Sequence, residues 1–128
     1  DSTKPAAWHF EMGRKLASLR DEGVMLVASG NVVHNLRTAR WHGENTPYPW
    51  ATAFNDVVKA NLTWQGPIEE HPLVNYLQQD GGSLSNPTPE HFLPLLYVLG
   101  AWDGHEAITV PTDGIEMGSL SMLSVQVG

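Results

Sequence analysis

Val24-Met-Leu-Val-Ala-Ser-Gly-Asn-Val-Val-His34-Asn-Leu36 opens as an unbroken apolar run and then turns polar. Val24 to Ala28 has the length and composition of a buried strand. Ser29-Gly30-Asn31 breaks it, and His34 follows just past the break. Open α/β sheets present polar groups to ligands in this way, at the carboxyl edge of a buried strand. By position alone His34 is either a metal ligand or a capping or core histidine.

Upstream, Ser2 or Thr3 is suited to cap a helix, with Pro5 in its first turn. Trp8, Met12, Leu16 and Leu19 recur at helical spacing, which predicts one apolar face, and Gly23 ends the helix. A helix, a glycine and a buried strand in succession form the second half of a β-α-β unit. The expected fold class is therefore α/β, with a mostly parallel sheet flanked by helices. The chain starts on a helix and holds few clear strands, so it reads as part of a larger single-domain α/β fold.

Downstream, residues 35–49 form a long polar loop, and long loops in compact domains tend to be functional or mobile. Trp41, Tyr48 and Trp50 either wall a pocket or pin this loop to the core. A helix is predicted from Trp50 to Gln65, with Phe54, Val57, Val58 and Leu62 on one face, stopped by Gly66-Pro67. A shorter one is predicted from Pro72 to Gln79, with Leu73 and Leu77 inward. Thr88-Pro89-Glu90-His91 reads as a helix start: Thr88 caps, Pro89 takes the first position and Glu90 favours the positive dipole end. That helix is apolar nearly all round and should be buried. Pro94, six residues in, should kink it. His91 is thereby expected at the N-terminus of a buried helix, where a neutral imidazole is favoured. Strands are expected at 107–110 and from Leu120 to the terminus, with Leu123 breaking strict alternation.

Composition excludes several classes of function. The 128 residues carry a formal charge of −7 with only 7 Lys+Arg. Nucleic acid is disfavoured as a partner, because phosphate binding requires a basic face. Anionic membrane surfaces are disfavoured for the same reason. No apolar run approaches membrane-spanning length and no signal peptide is evident, so a cytoplasmic location is expected. Cysteine is absent, so a transition metal would have to be held by His, Asp or Glu. There is no HExxH, no glycine-rich phosphate loop and no Gly-x-Ser-x-Gly elbow. Of six histidines, His9, His42, His71 and His105 are expected to face solvent. His34 and His91 stand apart because each sits at the end of a buried element.

Three segments carry a family resemblance: Ser29-Gly-Asn-Val-Val-His34-Asn-Leu-Arg37, Thr88-Pro-Glu-His91-Phe-Leu-Pro-Leu-Leu-Tyr97 and Gly118-Ser-Leu-Ser-Met-Leu-Ser-Val-Gln-Val-Gly128. Together they resemble the class III extradiol ring-cleavage dioxygenases, in particular the enterobacterial type of the 4,5-DOPA extradiol dioxygenase subfamily. The resemblance implies that residues 1–128 are the C-terminal part of that catalytic domain. It implies His34 as a metal-ligand histidine, and His91 as a further metal ligand or a catalytic acid/base on substrate. The family's Gly-His-Gly-Ser-Pro-like, Ser-Ala-His-Trp-like and Asp-His-Gly-like motifs, which carry its other histidines, do not occur here.

The resemblance further implies a divalent metal, Fe(II) for catalysis or Zn(II) as the bound ion, and a catechol cleaved with O₂. Asn35 and the loop tryptophans are candidates to line the catechol pocket. Two candidate ligands fall short of the three that metal sites usually need. The isolated chain is therefore expected to be inactive, and to need the missing N-terminal part or a homo-oligomer. Two rival readings are a metal-dependent hydrolase on a similar scaffold and a non-catalytic partner-binding fragment.

Overall fold

The computed structural model describes residues 1–128. Its elements in chain order are α1 (Ala6–Leu16), α2 (Pro49–Ala60), α3 (Gly82–Ser85), α4 (Leu93–Gly100), β1 (Ile108–Thr112), β2 (Ile115–Glu116), β3 (Leu120–Ser121) and β4 (Ser124–Val127). Short 3-10 turns cover Ala17–Glu22, Ile68–Glu70 and Tyr76–Gln78. Helices and strands are both present, as an α/β chain requires, but the sheet differs from expectation. There are two separate antiparallel pairs, β1 with β4 and β2 with β3, and no parallel sheet.

The cause lies in the opening stretch. Val24 to Ala28 is extended but pairs with nothing. No backbone N–H or C=O from Met25 to Gly30 is hydrogen-bonded within the chain. Nor is the run buried: Met25 is 85% exposed and Val27 79%, and only Leu26 is partly covered. A strand becomes part of a sheet only when a neighbour takes its ladder bonds, and this chain supplies no neighbour there. The terminal strand is also divided. Met122-Leu123 separates β3 from β4, at the residue where strict alternation fails.

α1 packs on α4, but not through the predicted stripe. Its buried residues are His9, Phe10 and Gly13. The two helices approach at paired glycines. A Cβ on Gly13 would overlap the Tyr97 carbonyl oxygen, and one on Gly100 would overlap that of Phe10. Close backbone contact of this kind turns the helix a notch away from the Trp8–Leu19 stripe, whose first member remains 36% exposed. His9, expected at the surface, is buried and lies 3.1 Å from the Tyr97 hydroxyl.

α2 begins at Pro49, where a missing N–H costs nothing. It buries Ala51, Phe54 and Val58, all three completely. These residues meet Val33, Leu73, Phe92 and Leu96 in the core. Leu73 faces inward as predicted, whereas Leu77 is exposed because that segment closes as a single 3-10 turn. His71 is the second histidine expected at the surface that is in fact buried, at 3% exposure. The start of α4 is shifted as well. Residues 89–92 form turns, and the helix proper opens at Leu93 with Pro94 in its first turn. Pro94 therefore starts the helix and does not kink it, and His91 lies in the turn ahead of it.

Candidate functional site

The two histidines singled out by position, remote from each other in the chain, meet face to face. The ring centroids of His34 and His91 lie 3.6 Å apart and their planes differ by 12°. His42 and His105 are solvent-exposed. His9 and His71 are buried against separate aromatic neighbours and take no part.

His34 is presented by the extended segment 32–35, which is held along both edges. On one edge it bridges to Leu120, and the Ser121 N–H donates to the Val33 carbonyl at 2.9 Å. On the other, the His34 N–H donates to the Ser85 carbonyl at the end of α3, at 2.8 Å. His91 is held from the break after Val24–Ala28: the Asn31 N–H donates to the His91 carbonyl at 2.9 Å. This contact needs Gly30, because a Cβ there would overlap the same carbonyl oxygen. Ser29-Gly30-Asn31 is thus the hinge of the site, ending the apolar run while docking on the turn that carries His91.

Burial lowers the pKa of His34, and the neighbouring His91 lowers it further. A neutral imidazole presents a lone pair, which is the form that binds a metal. Beside His91, Glu90 lies 3.5 Å from Nδ1 and is itself held by the Thr88 hydroxyl at 2.7 Å. That hydroxyl bond is the main reason the Glu90 carboxyl titrates below its ordinary value. Thr88 therefore fixes the glutamate and does not cap a helix. His91 Nδ1 is buried with no hydrogen-bond partner.

The donor chemistry suits a divalent transition metal, since both candidates are imidazoles. The number and orientation of the donors set limits. Glu90 stands beside His91, but no three His, Asp or Glu side chains are arranged to hold an ion together. A ring nitrogen donates in its own plane, and planes this nearly parallel meet far outside bonding reach. As arranged, one of the two rings can hold an ion and the other stands beside it. Of the pocket candidates, Tyr48 and Trp50 stack on each other at 5.3 Å, with the Arg40 guanidinium 4.4 Å over the Tyr48 ring. Both pack against the core, so they pin the loop. Trp41 is exposed. Position alone gave no warning of Asn31, Ser85, Asn86 or Glu90. Asn31 follows Gly30, Asn86 precedes Pro87 and Glu90 follows Pro89, which is their one signal, and Ser85 has none.

No family model matches the chain. Individual relatives do, and their names define a class of protein, the extradiol dioxygenases. Over its whole length the chain is 81% identical to the 4,5-DOPA dioxygenase extradiol of Escherichia coli K12, of which it covers 47%. It is 35% identical over 102 residues to the 4,5-DOPA dioxygenase extradiol of Portulaca grandiflora, covering 75% of this chain and 35% of the plant protein. The dioxygenase tasH of Hapsidospora irregularis is 33% identical over 121 residues, covering 82% of this chain and 35% of the fungal protein. A crystal structure of an uncharacterized protein from E. coli K12 matches with a TM-score of 0.98 at 81% identity, over all of this chain and 52% of that one. Along its whole length the chain is similar to part of a 4,5-DOPA extradiol dioxygenase. It spans between about a third and a half of the length of these curated relatives.

Proposed function

We propose that this chain is the His34–His91 portion of an enzyme that opens a catechol ring with O₂ by extradiol cleavage. The observation that carries the reading is the stacked pair itself, in which two remote segments deliver two imidazoles to one place. DOPA, named in the relatives, is the first substrate to test. Both oxygen atoms of O₂ end in the ring-opened semialdehyde product, so no external reductant is required.

In this reading His34 is the metal ligand. Its backbone is fixed along both edges, and its lowered pKa keeps the lone pair free. A bound divalent ion, Fe(II) for turnover or Zn(II) as an inert occupant, supplies Lewis acidity toward the catechol oxygens, and iron adds the redox access that O₂ requires. His91 stands against the ligand ring and serves as acid/base, taking a catechol proton and returning it to product. Glu90, held by Thr88 and 3.5 Å from Nδ1, is the acidic group beside that ring. The remaining donors come from the part of the family sequence that this chain does not span, or from a partner supplying it. The 128-residue chain alone is then inactive and binds metal weakly.

The test is complementation. The chain is refolded with the segment of the E. coli relative that it does not match, Fe(II) is added, and O₂ uptake is followed with L-DOPA. Uptake only in the mixture supports the reading. Ester or amide cleavage without O₂ uptake would replace it with a hydrolase, and a soluble, assembled complex with no activity of either kind would make the chain a non-catalytic binding module.

A further inference from the structure

Three asparagines surround the histidine pair, and each spends its side-chain amide on a backbone carbonyl. Asn31 Nδ2 donates to Ser121 O at 2.6 Å, Asn35 Nδ2 to Leu84 O at 2.8 Å and Asn86 Nδ2 to Val32 O at 2.9 Å. Between the last two lies the His34 N–H bond to Ser85 O. Three successive bonds therefore lace residues 32–35 to residues 84–86, and two of them come from buried asparagine side chains. On the far edge Ser119 completes the lacing, accepting from the Asn35 N–H at 3.2 Å and donating its hydroxyl to the Asn35 carbonyl at 2.9 Å. Asn31 serves both histidines. Its side chain ties the break to β3, which borders His34, and its backbone N–H holds the His91 carbonyl.

We infer that Asn31, Asn35 and Asn86 are positioning residues that set the spacing of the His34–His91 pair. A short amide suits the task. It replaces the N–H that a neighbouring strand would have offered, and it carries no charge. An aspartate at the same place would stabilise an imidazolium and compete for a cation. A second observation marks the same place. Of the four buried side-chain polar atoms without a partner, three are Ser85 Oγ, Asn86 Oδ1 and His91 Nδ1. Native interiors leave few such groups unpaired. Here they gather on and beside the segments that hold the pair, so this corner is built with polar capacity in reserve. Carrying this over to metal affinity rests on the reading of His34 as a ligand. The spacing claim does not.

The experiment is NMR on the whole 128-residue chain with labelled histidines, first free of metal and then with Co(II) as probe. Without metal, cross-ring NOEs between His34 and His91 are expected in the wild type and in a remote core control, Val57→Ala, and are expected to vanish in Asn86→Ala and Asn31→Ala. With Co(II), paramagnetic broadening centred on His34 should require about ten-fold more ion in the two asparagine variants than in the control. Retained NOEs in both folded asparagine variants would overturn the inference, as would equal loss in Val57→Ala at matched destabilisation. Asn31 is only half-buried, so its variant keeps the test intact if Asn86→Ala does not fold. If His34→Ala broadens as the wild type does, the ligand reading fails, while the NOE arm still decides the spacing claim.

Discussion

Lowering the pH from 7 to 5 should destabilise this chain through His71, a residue outside the candidate site. His71 is buried between Phe10, at 5.1 Å between ring centroids, and Trp64, at 4.8 Å. Its Nδ1 accepts the Leu73 N–H at 3.1 Å, so the neutral ring carries its proton on Nε2. Protonation would set one donor against another in a dry environment. Burial, with Arg14 adding to it, accordingly lowers its pKa to about 4 from an ordinary 6.5. The unfolded chain takes up the proton near pH 6.5 and the folded chain does not, so stability is full above that value and is lost as pH falls toward 4. Each pH unit between the two titrations is worth about 1.36 kcal/mol, so the loss is about 2 kcal/mol at pH 5 and about 3 kcal/mol once pH 4 is passed. With a urea slope of about 1–3 kcal/mol/M, the midpoint should move by about 1 M between pH 7 and 5. His71→Asn retains an acceptor for the Leu73 N–H but does not titrate. It should lower stability at pH 7 through lost ring packing, and its midpoint should depend less on pH than that of the wild type. Parallel pH slopes for the two proteins would refute the reasoning.

Further outcomes follow from the fold and the site. In the complemented enzyme, His34→Ala should lose bound metal by elemental analysis. His91→Ala should cut turnover more than metal content, and the reverse result would exchange their roles. Gly30→Ala, which drives a methyl into the His91 carbonyl, should cost about 1–3 kcal/mol by urea denaturation and broaden the His91 ring signals. Gly13→Ala should lower the unfolding midpoint by a similar amount, because the added carbon meets α4 backbone and not a side chain that can move. The exposed run Val24 to Ala28 should make the isolated chain self-associate, and Val27→Lys should reduce this in sedimentation, as charge on an open edge does in natural sheets.

Residues whose surroundings are local in sequence were legible. Phe54, Val58 and Leu62 repeat at helical spacing, and all three are buried. His34 and His91 were singled out because each follows or precedes a strongly apolar element, and the fold brings them together. What failed depended on partners that local pattern cannot see. Gly13 and Gly100 rotate α1 by letting two backbones touch, an effect invisible in either helix alone. His71 and His9 are buried by aromatic neighbours distant in sequence, apart from Trp8 beside His9 and Trp64 just ahead of His71.

The largest miss is the most instructive. Val24 to Ala28 has every internal mark of a buried strand, yet it lies open with its ladder bonds unmade. Its composition records an environment that these 128 residues do not provide, whereas the adjoining Gly30-Asn31 hinge finds its partner, His91, inside the chain. The boundary between what this chain completes and what it leaves open therefore falls within one stretch of sequence, at Gly30. On one side the backbone waits for neighbours. On the other, asparagine amides and a glycine contact already hold two imidazoles face to face.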